Sequence, residues 1–491
     1  MTASRPTIAS PLIWSTASSL GTQALSFLTF AILARLLGAP AFGLVALAAL
    51  VIDLLLAVSN AGINEAVIQR RTLEETDADT AFWTNLACGL TFCLATVMTA
   101  PLLASLFGQQ QLTPIITALA TIFAVTPLGA IHTARLTRDL RFRSIAMRNV
   151  AASLAGTAVG LPLAFAGYGA WALVGQRIAV ALAMAISAWA SFPWIPRPRF
   201  RLKSCIEMVR FGTYIGISGT LNQINIRSAE LISGALAGPI AVAFIRAGSR
   251  IVEVLNQVTY MPIQQIAMPI LTRTAQDPEA LKATYLRLSR LSAFFMFPAF
   301  LGSMALAHEI VAVVFGPGWE YVADAIRIFA CAVVASQMNN LIIAAITGMG
   351  ESRIVLSWTT AQIALGVGAA FLVHRWGWQA MLMVGVARGY LILPYGFHLL
   401  RRHTGIRFGD VMGSLRAALN SSLLMVLVVT AGVHVCEGLL PPIAIISICF
   451  PLGTIAYFAA YLWQDRTIIR LLQDTIAARR TPAATASQPG T

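Results

Sequence analysis

Three charged side chains lie in the apolar stretch 239–268 at the spacing of one helical face. Arg246, Arg250 and Glu253 follow one another at steps of four and three residues, so a helix presents them together. The planar guanidinium of arginine binds phosphate oxygens in pairs and keeps its charge when buried. The spacing therefore indicates either a face that binds an anion or a set of internal salt bridges.

Further charges lie in other apolar stretches. Arg227 and Glu230 are three residues apart upstream, and Asp53 lies in an apolar run nearer the amino terminus. A charge at mid-membrane costs about 2.5 to 3.5 kcal/mol, so such residues are expected to face protein or water. The pairs Arg227 with Glu230 and Arg250 with Glu253 could be structural salt bridges, whereas surplus arginines could bind an anion. The candidate site comprises Arg246, Arg250, Glu253, Arg227, Glu230, Arg35, Asp53, Arg177 and Arg388.

The composition is that of an integral membrane protein. Of the 491 residues, 57% are hydrophobic and 11% charged, and the mean hydropathy is +0.75. The net charge of +14 would suggest nucleic acid in a soluble chain, but the basic residues cluster in short loops between apolar runs. Nucleic acid is therefore not a predicted partner.

Fourteen apolar runs are long enough to predict about fourteen transmembrane helices. The even-numbered loops and the carboxyl-terminal tail carry 25 of the 34 basic residues, whereas the odd-numbered loops carry only Arg35 and Arg375. This bias predicts that both termini are cytoplasmic. The predicted spans begin near residues 12, 41, 81, 112, 145, 169, 207, 239, 288, 323, 353, 376, 411 and 440.

An internal repeat organises these spans. Matches at an offset of 200 residues include Gly38 with Gly238 and Asp53 with Glu253. At an offset of 208, "LFGQQ" (106 to 110) matches "VFGPG" (314 to 318), and "YGAWALV" (168 to 174) matches "WGWQAML" (376 to 382). The pattern predicts two six-helix lobes in the same orientation, followed by two more helices, a transporter arrangement. The expected domains are 1–200, 201–405, 406–465 and a cytoplasmic tail at 466–491.

Motifs of enzyme chemistry are missing from the sequence. The six cysteines show no C-x-x-C spacing, the six histidines show no metal-ligand spacing, and no nucleotide-binding glycine motif occurs. We therefore expect no catalytic residue, no metal and no cofactor. Pro262, Pro269 and Pro298 could kink helices into a lateral gate or could only shape packing. The glycine pairs Gly156/Gly160, Gly212/Gly216 and Gly234/Gly238 are expected to be packing contacts.

Several motifs, in this order, resemble the Wzx-type polysaccharide flippases of the MOP superfamily, and most closely the exopolysaccharide exporters. The resemblance covers most of residues 10 to 400, and it departs from the family pattern at Ala41, where the family commonly has Asp. The motifs are "LARLLGAPAFGLVALA" (33 to 48), "AVIQR" (66 to 70), "FWTN" (82 to 85), "LTRDLRFRSIAMRN" (136 to 149), "GYGAWALV" (167 to 174), "FGTYIGISGTLNQIN" (211 to 225) and "VVFGPGWEYV" (313 to 322).

The resemblance implies export of an undecaprenyl-diphosphate-linked oligosaccharide from the cytoplasmic to the periplasmic leaflet of a bacterial inner membrane. The implied partners are this substrate, membrane lipid, a polysaccharide polymerase and a chain-length regulator. Two alternatives stay open. A MATE-like drug exporter favours a cavity with acidic and aromatic residues, and a glycan polymerase or ligase is expected to carry a large periplasmic loop.

Overall fold

The computed structural model describes residues 9–59, 62–70, 72–349 and 351–466, and no strand occurs in these ranges. An all-helical chain satisfies its backbone hydrogen bonds within each segment, as a lipid environment requires. A short 3-10 helix, His374–Trp376, joins two of the longer helices. The α-helices are α1 (Ala9–Ser59), α2 (Ile63–Gln69), α3 (Glu75–Leu106), α4 (Leu112–Arg138), α5 (Phe142–Phe165), α6 (Ala170–Ser191), α7 (Leu202–Ala237), α8 (Pro239–Thr259), α9 (Met261–Thr274), α10 (Pro278–Ala305), α11 (Ala307–Val314), α12 (Val322–Cys331), α13 (Val333–Gly348), α14 (Ser352–Val373), α15 (Trp378–Leu391), α16 (Leu393–Thr404), α17 (Phe408–Cys436) and α18 (Pro442–Gln464).

The chain is a multi-pass membrane protein of the all-α class, as predicted. Among the described residues, eight helical segments are long and apolar enough to cross a membrane by themselves, and the bent pair α12 and α13 makes a ninth. Each of the fourteen predicted starts falls within a helix or within two residues of one. The exact count of fourteen stays a prediction, as do the domain boundaries. The predicted tail lies outside the described residues after residue 466.

Glycines matched by the sequence repeat share an unusual backbone conformation. All of them have a positive φ, which side chains of L-residues rarely adopt. Gly38 lies at a kink inside α1, and Gly238 follows the end of α7. The two glycines also agree in ψ, at 166° and −179°, so the chain turns in the same way at both places. The pairs and their φ values are Gly38 and Gly238 (72° and 83°), Gly108 and Gly316 (63° and 80°), and Gly169 and Gly377 (55° and 89°).

The helices form two compact units. The first comprises residues 1–250, 311–325 and 356–388, and in it α5 packs on α6, α3 on α4, and α1 on α4, α5 and α7. The second comprises 251–310, 326–355 and 389–491, in which α10 packs on α9, α13 and α17, and α17 packs on α18. Every hydrogen bond and ion pair described below lies within one of these units.

Small residues and prolines shape the helices. In the first unit, Gly156 and Gly160 of α5 lie against Gln176 and Val180 of α6, because a Cβ on Gly156 would come within 2.5 Å of Val180. This pair is therefore a packing contact, as predicted. A helix break lies next to Pro262: α8 ends at Thr259 and α9 begins two residues later with the proline in its first turn. A gating role for the prolines stays a prediction.

The segment 192–201 between α6 and α7 is fastened to the start of α3. The backbone N–H of Arg197 donates to Asp79 at 2.9 Å, and the indole of Trp83 donates to the carbonyl of Arg197 at 2.8 Å. Asp79 is 1% exposed, so the backbone of the segment satisfies a carboxylate that would otherwise be buried alone. This attachment fixes the end of α6 and the beginning of α7 in the first unit.

Candidate functional site

Five charged side chains from four helices form an alternating series that we call the charged ladder. Arg177 of α6 donates to Oδ1 and Oδ2 of Asp53 of α1 at 2.9 and 3.2 Å, and Arg246 of α8 lies 3.6 Å from Oδ2 of Asp53. Arg246 also donates to Glu230 of α7 at 3.0 Å, and Arg227 donates to the same oxygen at 3.3 Å. Arg246 is therefore the central member, between two acids, and the ladder holds three arginines against two carboxylates.

Close backbone packing positions the ladder. A Cβ on Gly43 would lie 2.2 Å from the carbonyl oxygen of Pro239, so the second half of α1 touches the first turn of α8 at this glycine. Asp53 lies ten residues beyond Gly43 and Arg246 seven beyond Pro239, which brings the two side chains together along neighbouring helices. Gly43 therefore permits the contact between Asp53 and Arg246.

The ladder is half-buried. Its arginine side chains are 18% to 30% exposed, Asp53 is 21% exposed and Glu230 is 9% exposed. Charges at this depth are stable only when they are paired or reach water. The predicted bridge between Arg227 and Glu230 exists, but Glu230 is shared with Arg246, and the ladder keeps one unit of positive charge in excess.

Arg250 lies one helical turn beyond Arg246, in the wall of a cavity of about 330 Å³ that we call the polar cavity. Its guanidinium donates to the hydroxyl of Ser26 on α1 at 2.8 Å. Helices α1, α5, α6 and α8 contribute the walls, and Gln176 in one wall directly precedes Arg177 of the ladder. The lining residues are Thr22, Gln23, Ser26, Thr29, Asn149, Ala152, Ser153, Thr157, Gln176, Val180, Met184 and Arg250.

The sequence analysis did not predict the uncharged residues of the polar cavity, although their helical spacing is visible in the sequence. Thr22, Ser26 and Thr29 lie at i, i+4 and i+7, and Ser153 and Thr157 lie at i and i+4, so each set forms one helical face. The two faces meet where the hydroxyls of Thr29 and Thr157 are 2.8 Å apart. Stripes of serine and threonine on apolar helices could have been found by the periodicity that revealed the charges.

The other predicted site residues lie elsewhere. Arg35 is exposed and donates to the carbonyl of Val313 at 3.4 Å, beside Gly316. Arg388 of α15 donates to the carbonyl of Gln362 on α14 at 2.9 Å. Glu253 lies one turn beyond Arg250 on α8 and belongs to the second unit. The hydrogen bonds of Arg35 and Arg388 are to backbone carbonyls outside the ladder, and the part of all three residues in a site stays a prediction.

Metal-ligand clusters are absent from the part of the chain that the structure describes, where no three His, Cys, Asp or Glu side chains come together. The six cysteines are free thiols. The chemistry that this arrangement offers is therefore binding: arginines for an anion, and hydroxyl and amide groups for a polar, uncharged ligand.

Residues 32–324 match the model of a family described as polysaccharide biosynthesis proteins. The chain belongs to this family. Among curated proteins, this chain is similar to the succinoglycan biosynthesis transport protein ExoT of Rhizobium meliloti, with 26% identity over 96% of both chains. It is also similar to the lipopolysaccharide biosynthesis protein WzxC of Escherichia coli, with 23% identity over 77% of both chains.

Solved structures of transport proteins share the fold of this chain. The lipid II flippase MurJ in an inward closed conformation matches with a TM-score of 0.77 and 11% identity, over 93% of this chain and all of that one. An inward-facing multidrug resistance MATE family transporter of the MOP superfamily matches with a TM-score of 0.56 and 18% identity, over 80% of this chain and 94% of that one. At such identities the likeness shows the fold alone.

Proposed function

We propose that this protein moves undecaprenyl-diphosphate-linked oligosaccharide repeat units from the cytoplasmic to the periplasmic leaflet of a bacterial inner membrane, for polysaccharide biosynthesis. The observation that carries the proposal is the similarity to a succinoglycan biosynthesis transport protein along 96% of both chains. Both termini lie in the cytoplasm, as the distribution of basic residues predicts. A polysaccharide polymerase and a chain-length regulator are the expected partners on the periplasmic side.

The charges of the first unit suit a diphosphate. Arg246 and Arg250 lie one turn apart on the same helix, and each guanidinium can donate two hydrogen bonds to phosphate oxygens. Arg250 lines the polar cavity beside Ser26, and Arg246, one turn away on α8, belongs to a ladder that holds one positive charge in excess. The proposal requires transport without bond chemistry, so it assigns no catalytic residue and no cofactor.

The same geometry argues against the alternatives. A site for cationic drugs is expected to carry acidic and aromatic side chains, but the lining of the polar cavity includes neither. A polymerase or ligase needs catalytic groups and a large loop outside the membrane, whereas the periplasmic turn between α3 and α4, for example, spans only residues 107–111. The fold of drug exporters is thus compatible with this chain, but the chemistry of its cavity favours an anionic, hydroxyl-rich substrate.

Deletion of the gene and complementation test the proposal. Cells that lack the protein are expected to accumulate the lipid-linked repeat unit in the cytoplasmic leaflet, where a glycan-oxidising or glycan-cleaving reagent reaches it only in inverted vesicles. Wild-type protein should restore export, whereas Arg250→Ala should insert and fold but export poorly. Arg250→Lys should restore export only in part, because lysine keeps the charge but loses the bidentate contact.

Arg416→Ala, at an exposed position on α17, is the matched control for the loss of one arginine. Normal leaflet distribution of the repeat unit in the deletion strain would contradict the proposed function. Normal export by Arg250→Ala would contradict the role of Arg250 alone. A third possibility, that Arg250 only compensates Glu253, is tested by Arg250→Ala with Glu253→Ala, which would then restore both abundance and export.

A further inference from the structure

The start of α7, together with the segment before it, carries a surplus of exposed basic side chains. Between residues 195 and 210 there are five basic residues and one acid, Glu207. Glu207 is already paired with Arg70 at 2.7 Å, and Arg201 is paired with Glu74 at 2.9 Å. The other four basic side chains are exposed and form no ion pair with another residue in the part of the chain that the structure describes. They are Arg197, Arg199, Lys203 and Arg210.

Apolar side chains lie exposed beside these charges. Leu202, Ile206 and Val209 follow one another at steps of four and three residues, so they form one stripe along the first turns of α7. Leu202 is 64% exposed and Ile206 is 58% exposed. Lys203 and Arg210 lie seven residues apart on the neighbouring face of the helix. An exposed apolar stripe with basic residues at its edge is typical of a helix at a membrane surface.

The remaining face of these turns is buried and holds the surface in place. Ser204 donates to Asp77 of α3 at 2.7 Å, and Met208 is 3% exposed in a cluster with residues of α2, α3 and α4. The backbone N–H of Arg201 also donates to the hydroxyl of Thr80 at 3.1 Å. Charges that are held on a fixed helix lose less conformational entropy on binding than charges on a free loop, so this arrangement favours binding.

Two tryptophans mark the level of the membrane surface. Trp83 of α3 and Trp189 of α6 are each 37% exposed, and their indole N–H groups donate to the carbonyls of Arg197 and Leu128, both at 2.8 Å. Tryptophan is enriched where a membrane meets water, because its ring is apolar and its N–H is polar. The predicted seventh span begins near residue 207, so the first turns of α7 are expected at this level, on the side that loop charge predicts to be cytoplasmic.

We infer that residues 195–210 form a binding surface for anionic phospholipids of the cytoplasmic leaflet, which we call the basic surface. Arg199, Lys203 and Arg210 contact the headgroup phosphates, and the apolar stripe contacts the acyl chains. A zwitterionic headgroup brings its own ammonium group, which the surplus of basic side chains repels. The inference does not depend on the proposed function, because the ligand is bulk phospholipid and not the transported lipid.

Lipid binding by the purified full-length protein, delipidated in a neutral detergent, tests the basic surface. The probe is a fluorescent phosphatidylglycerol, and unlabelled phosphatidylglycerol and phosphatidylcholine with the same acyl chains compete with it. The wild type should bind phosphatidylglycerol at least about tenfold more tightly than phosphatidylcholine, since each basic residue near an anionic surface contributes about fivefold in affinity. The triple variant Arg199→Gln, Lys203→Gln and Arg210→Gln should lose most of this preference.

Salt provides an independent test of the same contacts. Raising the salt concentration from about 0.1 M to about 1 M shortens the Debye length from about 10 Å to about 3 Å. The preference of the wild type for phosphatidylglycerol should therefore fall as salt is added, because its charges are exposed. The triple variant should show little further change.

The triple variant Arg401→Gln, Arg402→Gln and Arg416→Gln is the matched control, because it removes the same charge from exposed positions. The two leucines before Arg401 are buried, so they offer no surface to acyl chains. The control should keep the preference for phosphatidylglycerol. The midpoints of thermal unfolding of all variants should match that of the wild type, which separates lost binding from lost folding.

A double variant separates the two parts of the basic surface. Leu202→Gln with Ile206→Gln removes apolar contact and keeps every basic residue, so phosphatidylglycerol and phosphatidylcholine should both bind more weakly, by the same factor. Their ratio of affinities should stay that of the wild type. A change in this ratio instead of the affinities would contradict the assignment of the stripe to the acyl chains.

Three results would overturn the inference. One is equal binding of phosphatidylglycerol and phosphatidylcholine by the wild type. Another is a preference that survives Arg199→Gln, Lys203→Gln and Arg210→Gln, or that the control loses to the same extent. The third is displacement of the probe by soluble glycerophosphoglycerol or by polyglutamate as effectively as by phosphatidylglycerol, which would indicate a phosphate or protein site. None of these results bears on the proposed function, which the leaflet distribution of the repeat unit tests.

Discussion

At the scale of single residues, the two acids of the ladder decide how the arginines are held. Asp53 contacts Arg177 and Arg246, and Glu230 contacts Arg227 and Arg246. Removing one arginine leaves two arginines and two acids, whereas removing one acid leaves three arginines and a single acid. The two kinds of substitution should therefore differ in their effect on folding.

Arg246→Gln and Glu230→Gln form a test of this difference. Arg246→Gln should insert and fold in wild-type amounts but export little, because the ladder stays paired while the anion loses a ligand. Glu230→Gln should lower the amount of folded protein, because buried arginines are left without their acid. Fluorescence-detected size-exclusion chromatography gives the folded amount, and export is then expressed per folded molecule. Equal abundance of the two variants would contradict the ladder as described.

At the scale of elements, close backbone contacts at glycine determine which side chains meet. Gly43 lies against the carbonyl of Pro239, and this contact aligns α1 with α8 over the stretch that includes Asp53 and Arg246. An added methyl group there has no space, since its neighbour is backbone and not the end of a flexible side chain. The ladder thus depends on a residue that carries no charge.

Gly43→Ala should lower stability by about 1 to 3 kcal/mol, the usual cost of overpacking, and should also reduce export. Gly413→Ala is the matched control, because Gly413 is exposed inside α17 and a Cβ there meets no atom of the described residues within 4 Å. The control should leave the midpoint of thermal unfolding unchanged or raise it slightly, since alanine has a higher helix propensity than glycine. Thermal unfolding in detergent measures both, and similar midpoints for the two variants would refute the steric argument.

The helical segments could be predicted from the sequence, but the charge pairs between different helices could not. Hydropathy and loop charge located the helical segments, and the matched glycines proved to share a positive φ because the same turn recurs in both halves. Spacing along one helix correctly predicted Arg227 with Glu230. It could not predict Arg177 with Asp53, which are 124 residues apart and meet only after α1 and α6 pack. The polar cavity depends on four helices and was likewise missed.

At the scale of the whole molecule, the charged residues also obscure the membrane topology. Helix α8 is not among the eight helical segments that are long and apolar enough to cross a membrane by themselves, because its 21 residues include Arg246, Arg250 and Glu253. Loop charge is independent of this effect, since it counts residues outside the spans. The orientation of the chain is therefore predicted better from its loops than from the apolar character of each helix.

Reporter fusions test the predicted topology of fourteen spans with both ends inside. Four fusion sites should report the periplasm and three the cytoplasm, and two or more inverted results would require a different map. Fusions to proteins of known orientation in the same membrane serve as the control. The periplasmic sites are Gln110, Gly238, Gly318 and Glu437, and the cytoplasmic sites are Arg141, Arg201 and Arg402.

The central place of Arg246 has a kinetic consequence. If Arg246 binds the anion, as proposed, its side chain turns from its two acids, and Asp53 keeps Arg177 while Glu230 keeps Arg227. Each carboxylate would then keep one arginine as a counter-charge while the anion is bound, so binding and release would be ligand exchanges at one guanidinium. On this proposal the resting ion pairs of Arg246 re-form on release and compete with the phosphate, so the same contacts that hold the empty site together would favour discharge of the cargo.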